Sequence, residues 1–240
     1  RNRTIDLGIV SDTKSFLKEL NANLDEQKIA DTLKAQYQPW LDTVRAAHDA
    51  GKKEAQPLWK CTTLPMHPMR LANEINMFMD REDDIVVADG GDTSTWMGMT
   101  RTVVKGGTYL DYGLYGCLAV GIPYANAAKL RNPDKRVLLI MGDGSVGFNF
   151  MEFHTAIRKK LPIVVVIGND QSWGMIAHSQ TLRLGHNIPN GTELGWVDYH
   201  KMVEVLGGFG ALVEKPEDIK PALEAAFASG KTACINVKVD

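Results

Sequence analysis

The apolar positions follow one pattern before Pro57 and another after it. In the first stretch, Asp6-Leu7-Gly8-Ile9-Val10 predicts a short strand, Ser11-Asp12 a helix cap, and Phe16, Leu17 and Leu20 the apolar side of one helix. One strand and one helix cannot bury themselves. Ile29, Leu33, Tyr37, Leu41 and Val44 then recur at near-helical spacing opposite a charged side. This predicts a helical connector, interrupted at Pro39 and ending near Gly51-Lys52-Lys53.

From Pro57 onward, strand-like apolar runs alternate with helical ones, the order expected of an α/β fold with a parallel sheet flanked by helices. A helix from about His67 to Met79 precedes a strand over Ile85 to Ala88. The glycine-rich segment Asp89 to Gly91 and a stretch ending in Gly113-Leu114-Tyr115-Gly116 lead to a helix of small residues from about Leu118 to Leu130. The turn Asn132-Pro133-Asp134 opens the strand Arg136 to Met141. A helix carrying Phe150, Phe153, Ala156 and Ile157 precedes the strand Pro162 to Gly168, and a last helix near Pro216 to Ser229 precedes the strand Ala233 to Val237. These Val, Ile and Leu runs do not alternate with polar residues, so the strands are expected to be buried on both faces. The expected division of the chain is residues 1–22, 23–56 and 57–240, the last a single domain.

Composition narrows the function classes. With 44% hydrophobic and 23% charged residues the chain is ordinary for a globular protein, and 27 Lys and Arg against 29 Asp and Glu leave no basic footprint for nucleic acid. Its longest apolar runs, such as Val137 to Met141 and Ile163 to Ile167, fall far short of the roughly 18 residues of a membrane span. Cys61, Cys117 and Cys234 are odd in number and far apart, which fits neither a disulfide framework nor a zinc pair. A cytoplasmic protein without nucleic-acid or membrane partners is expected.

Candidate chemistry concentrates where Gly142-Asp143-Gly144-Ser145-Val146-Gly147 follows one buried strand and opens a helix. The segment satisfies the G-x-G-x-x-G dinucleotide pattern. Asp170, after the next strand, stands about where a ribose-binding acid would, so an NAD(P)-binding oxidoreductase domain is one reading. Its defect is Asp143, whose carboxylate would be pressed towards a pyrophosphate with nothing to offset the repulsion. In parallel sheets ligands bind beyond the carboxyl ends of the strands, and Asp143 and Asp170 fall at two such ends. Two carboxylates meeting there favour a cation, and Mg²⁺ takes one or two carboxylates together with phosphate oxygens and water. A metal between them turns the repulsion into a diphosphate anchor, completed by the amides of Gly144 and Ser145 at a helix N-terminus.

Gly142-Asp143-Gly144, followed after roughly two dozen residues by Asn169-Asp170-Gln171-Ser172-Trp173-Gly174, resembles the G-D-G and N-N motif of the thiamine diphosphate-dependent pyruvate decarboxylase and acetolactate synthase superfamily. The resemblance runs from about Pro57 to the end, the pyrophosphate-binding domain of that family, while residues 1–22 resemble the last strand and helix of its central domain. It implies thiamine diphosphate and Mg²⁺ as cofactors. Side-chain oxygens of Asp143 and Asp170 and the carbonyl of Ser172 are implied on the metal, with Asn169 on the diphosphate and Trp173-Gly174 completing the cofactor loop. Many members carry Asn where Asp170 stands, so this site has one more negative charge.

Gly91-Asp92-Thr93 resembles the stretch that holds the far diphosphate oxygens. Gly116-Cys117-Leu118 resembles the place where a carbonyl receives the aminopyrimidine and a bulky side chain, here Leu118, wedges the cofactor into its bent form. Tyr112, Trp173 and His178 fall where the family lines its substrate pocket. Within the superfamily, residues 169–174 and Asn190-Gly191-Thr192-Glu193-Leu194 are most similar to benzaldehyde lyase and the 2-hydroxyacyl-CoA lyases.

The resemblance implies carbon–carbon cleavage or ligation on 2-keto acids or 2-hydroxy carbonyl compounds, acyl-CoA thioesters among them, by a lyase, decarboxylase or carboligase. The family's activating glutamate lies on a pyrimidine-binding domain of a neighbouring subunit, and no segment here resembles that domain. That domain is the expected partner, in a homodimer or homotetramer, with these 240 residues part of a larger enzyme. The other readings are the dinucleotide domain and a module that binds the cofactor without catalysis. Taken singly, Asp143 also fits a helix cap, Asp170 a turn, His178 a surface histidine and Cys117 a small buried residue, while Glu152 and the methionines from Met66 to Met79 read as packing.

Overall fold

The computed structural model describes residues 3–240. The chain divides between Ala55 and Gln56 into two compact units. In the first, helix α1 (Thr13–Glu26) is capped by Asp12, whose side chain accepts from the Ser15 amide at 2.9 Å. Residues 6–10, expected as a strand, form none and lie exposed. A strand must pair its backbone N–H and C=O groups with a neighbour, and all six strands of the described chain lie within residues 85–238.

Helix α2 (Ala30–Trp59) runs through Pro39 and Gly51, where an interruption and an end were expected. Together these residues cost a helix about 4 kcal/mol. The surrounding Ala, Leu, Lys, Gln and Glu favour it, and the carbonyl that Pro39 leaves without a partner faces water on an exposed helix.

In the second unit, helix α3 (Pro68–Phe78) is entered through His67, whose Nδ1 accepts from the Met69 amide at 3.1 Å, and Pro68 supplies the fixed φ suited to a first helical residue. There follow β1 (Ile85–Ala88), α4 (Gly91–Thr100), β2 (Tyr109–Leu110), α5 (Gly121–Arg131), β3 (Val137–Gly142), α6 (Asp143–Asn149), α7 (Glu152–Arg158) and β4 (Val164–Asn169). The chain ends with α8 (Gly174–Leu184), α9 (Tyr199–Val205), β5 (Phe209–Val213), α10 (Ile219–Ala228) and β6 (Ala233–Lys238). Helix α5 starts at Gly121 rather than near Leu118 because Ala119 is left-handed, with φ 71°. The single helix expected after β3 is two, α6 and α7, separated at Phe150 and Met151.

The sheet has the order β2-β1-β3-β4-β6-β5, and every adjacent pair is parallel. The unbroken apolar runs explain this arrangement, because successive residues feed two opposite cores. Val86, Leu138, Ile140, Val164, Val166 and Ile235 pack towards α3 and α10. Val87, Leu139, Met141, Val165 and Ile167 pack towards α5, α7 and α9, around a fully buried Phe153 whose truncation to alanine should cost about 3–5 kcal/mol. With β1, β3 and β4 adjacent, their carboxyl ends lie side by side, and α4, α6 and α8 each start within a few residues of those ends.

Candidate functional site

A cleft of about 320 Å³ opens over these strand ends. Its walls include the first residues of three helices, Gly91 to Thr93 of α4, Asp143 to Ser145 of α6 and Gly174 to Ile176 of α8. The first N–H groups of a helix have no intrahelical partner and carry partial positive charge, so this convergence suits a polyanion.

Asp143 is the first residue of α6 and is 3% exposed. Its Oδ1 accepts from the Gly144 amide at 3.0 Å, while its Oδ2 is buried without any hydrogen-bond partner. Asp170 follows β4, and the pairing of Gly142 with Gly168 brings the two acids to neighbouring strand ends. Asp170 Oδ1 accepts from the Ser172 amide at 3.1 Å. Burial first, and the charge of Asp170 second, push the Asp143 carboxyl up to about 8, and burial raises Asp170 as well. Among the described residues no lysine or arginine pairs with either acid, and no three His, Cys, Asp or Glu side chains are placed to hold a metal by themselves. Two carboxylates with an orphaned oxygen between helix N-termini therefore form an incomplete donor set. A hard divalent cation whose remaining ligands are phosphate oxygens and water would complete it.

The loop that carries Asp170 is held by construction. Gln171 is left-handed, with φ 61°, and its amide donates to Asn169 Oδ1 at 3.2 Å. The Trp173 amide donates to the Thr192 carbonyl and the Leu194 amide to the Gln171 carbonyl, each at 2.8 Å, so residues 192–194 staple the turn. The stretch Asn190 to Leu194, singled out in the sequence only by resemblance, thus acts as a buttress for the acid loop. A Cβ on Gly174 would collide with Asp170 Oδ2 and lie 3.1 Å from Asp92 Oδ2, which explains glycine at that helix start.

The structure gathers nearly all the expected site residues at this cleft. Gly91, Asp92, Thr93 and Tyr112 line one side, Gly116 and Leu118 another. Gly142 to Ser145 and Asp170 line the floor side with Ser172, Trp173 and Gly174. His178 lines it too, with Nδ1 2.5 Å from Asp92 Oδ2, so that pair ties α8 to α4. Tyr112 is held by the Ser94 hydroxyl, which donates to its Oη at 3.0 Å. The exception is Asn169. It is fully buried, and its Nδ2 donates to Asn236 Oδ1 at 3.2 Å and to the Val197 carbonyl at 3.3 Å. Its side chain is therefore committed beneath the cleft, and the expected contact with a diphosphate gives way to supporting the acid loop.

Residues that sequence reasoning missed include Leu71, Trp96, Met175 and Val239, which make the wall apolar. Asp89 was also missed. Its oxygens accept from the Gly90 and Gly121 amides at 2.6 and 2.8 Å, joining the end of β1 to the start of α5. Its place directly after a buried strand was the available signal.

Residues 89–237 match the family model described as thiamine pyrophosphate enzyme, C-terminal TPP binding domain. The acetolactate synthase large subunit of Mycobacterium tuberculosis is 37% identical over 85% of this chain, and 2-hydroxyacyl-CoA lyase of Oryza sativa subsp. japonica is 32% identical over 98% of it. The chain spans only 37% and 41% of those proteins' lengths. A solved Rhodococcus jostii thiamine diphosphate-dependent 4-hydroxybenzoylformate decarboxylase superposes on 75% of this chain and 34% of its own, with a TM-score of 0.68 at 24% identity, a likeness of fold. The chain belongs to the thiamine pyrophosphate enzymes, and residues 89–237 are its C-terminal thiamine diphosphate-binding domain.

Proposed function

We propose that this chain supplies the diphosphate and Mg²⁺ half of the active site of an enzyme that cleaves or joins carbon–carbon bonds of 2-keto acids or 2-hydroxy carbonyl compounds. The observation that carries the reading is the buried, unpartnered Oδ2 of Asp143 beside Asp170, where three helices begin. Asp143, Asp170 and the Ser172 carbonyl would hold the metal, and the amides of Gly91 and Ser145 would face the diphosphate. When bound, thiamine diphosphate would supply the carbanion stabilisation such reactions need. The chain's own work is to bind it, to bend it over Leu118, and to exclude water with an apolar wall that includes Trp96, Trp173 and Met175. Tyr112, Trp173 and His178 would border the substrate.

The proton-handling glutamate would come from a pyrimidine-binding domain on a neighbouring subunit of a homodimer or homotetramer. The relatives' much greater length supports such further domains, and their names support acetolactate-type or 2-hydroxyacyl-CoA substrates. The three free cysteines among the described residues are compatible with a cytoplasmic setting. Titration of the full-length protein with thiamine diphosphate, read by tryptophan fluorescence, tests the reading. Quenching is expected with Mg²⁺, and its loss with EDTA and in Asp143→Asn. Metal-independent binding of NAD in its place would overturn it.

A further inference from the structure

Ala119 carries a Cβ, is 2% exposed, and adopts φ 71°, in the left-handed region that residues with a Cβ disfavour. Both of its peptide groups are gripped by α6. Its N–H donates to Ser145 Oγ at 3.0 Å, and its carbonyl accepts from Asn149 Nδ2 at 3.1 Å. Ser145 and Asn149 are four residues apart and therefore share one face of α6. The gripped N–H belongs to the peptide joining Leu118 to Ala119, so the grip sets the direction in which Leu118 leaves the chain. Two residues further on, the Gly121 amide is fixed by Asp89, so the segment cannot relax forwards.

We propose that Ser145 and Asn149 are positioning residues that hold Ala119 left-handed and thereby fix where Leu118 enters the cleft. Helix α6 then has two tasks. Its first residue, Asp143, faces the metal and diphosphate, while Ser145 and Asn149 hold the loop that meets the organic part of the cofactor. The inference rests on the reading of Leu118 as the residue against which thiamine diphosphate bends.

The test compares two probes on the full-length protein, thiamine diphosphate and inorganic pyrophosphate, each with Mg²⁺ and each read by tryptophan fluorescence. Asn149→Ala should weaken thiamine diphosphate binding by up to about tenfold, the upper effect of one lost hydrogen bond, here a partly buried one, and leave pyrophosphate binding unchanged. Ser145→Ala, which removes the acceptor facing Ala119, should also weaken thiamine diphosphate binding, and is read with that probe alone because Ser145 would border the diphosphate. In an Ala119→Gly background, where the left-handed conformation costs nothing, the Asn149→Ala loss should shrink to about threefold or less. Equal losses for both probes, no loss for either, or an undiminished loss in the Ala119→Gly background would each overturn the inference. Leu118→Ala separates the two levels. If it leaves thiamine diphosphate binding intact, the wedge reading itself fails. If it weakens binding while Asn149→Ala does not, only the positioning role fails.

Discussion

Trp173 lies across Gly144 so closely that a Cβ on Gly144 would meet Cζ3 and Cε3 of the ring at 2.6 and 2.7 Å. Phe148 flanks the same ring at 5.8 Å between centroids. The glycine at the middle of the G-D-G motif is thus a steric requirement, since it lets the acid loop after β4 close on α6.

Gly144→Ala should therefore displace Trp173 and weaken Mg²⁺-dependent thiamine diphosphate binding by about tenfold or more, without loss of the fold. Gly147→Ala is the matched comparison. It sits in the same helix with nothing within 4 Å of its added Cβ, so it should stabilise the protein by about 0.5–1 kcal/mol and leave binding unchanged. Thermal melts and fluorescence titrations of the two variants check both statements.

The raised carboxyls of Asp143 and Asp170 give the metal-free protein a defined pH dependence. A carboxyl whose folded pKa lies above its unfolded value binds protons more tightly when folded. Its stabilisation is complete below the unfolded value near 3.8 and is lost as pH rises through the folded value, about 8 for Asp143. In EDTA, wild type should accordingly lose melting temperature relative to Asp143→Asn as pH is raised from about 4 to 8. Addition of Mg²⁺ and pyrophosphate should reverse the order at pH 8. A difference between the two melting curves that does not change with pH would refute the account.

Asp89 is fully buried and uses both carboxylate oxygens on backbone amides, those of Gly90 and Gly121. Asp89→Asn would keep an acceptor for one of these N–H groups but turn an NH₂ towards the other, leaving that N–H and the new NH₂ without an acceptor. A loss of about 1–3 kcal/mol in urea unfolding is expected, with no change in the denaturant dependence.

The sequence made the central strands plain because β1, β3 and β4 are short apolar runs and β6 is one interrupted only by Asn236, the pattern of strands in a doubly covered parallel sheet. The acids at their ends were legible for the same reason. Helix α4 was not, since Gly-Asp-Thr-Ser-Thr-Trp-Met-Gly-Met-Thr has no apolar stripe and, apart from Met97 and Met99, only weak helix formers, so packing against α3 and the sheet carries it. Edge strand β5 was hidden by Gly207, Gly208 and Gly210 and by its half-exposed side chains. The commitment of Asn169 to Asn236 was out of reach, because the partners lie 67 positions apart and meet only through the β4–β6 pairing. Ala119 could not be foreseen as left-handed from its residue type, for its conformation is set by Ser145 and Asn149 in a later helix.

Asn236 offers the sharpest test of how the acid loop is supported. It is fully buried on β6. Its Oδ1 accepts from Asn169, and its Nδ2 donates to the Val197 carbonyl at 2.9 Å. Asn169 in turn accepts from the amide of left-handed Gln171, one residue after Asp170. Asn236→Leu should thus release Asn169, loosen residues 170–172 and leave the Val197 carbonyl with one donor fewer. The expected cost is about 1–3 kcal/mol of stability together with a several-fold higher Mg²⁺ requirement for thiamine diphosphate binding. Asn236→Leu changes no atom at the cleft, so a raised Mg²⁺ requirement would have to pass through Asn169. Asn169→Leu should reproduce it, and the double variant should be no worse than either single one. Additive losses would mean that the two asparagines stabilise the sheet independently and that the loop draws its shape from residues 192–194 alone.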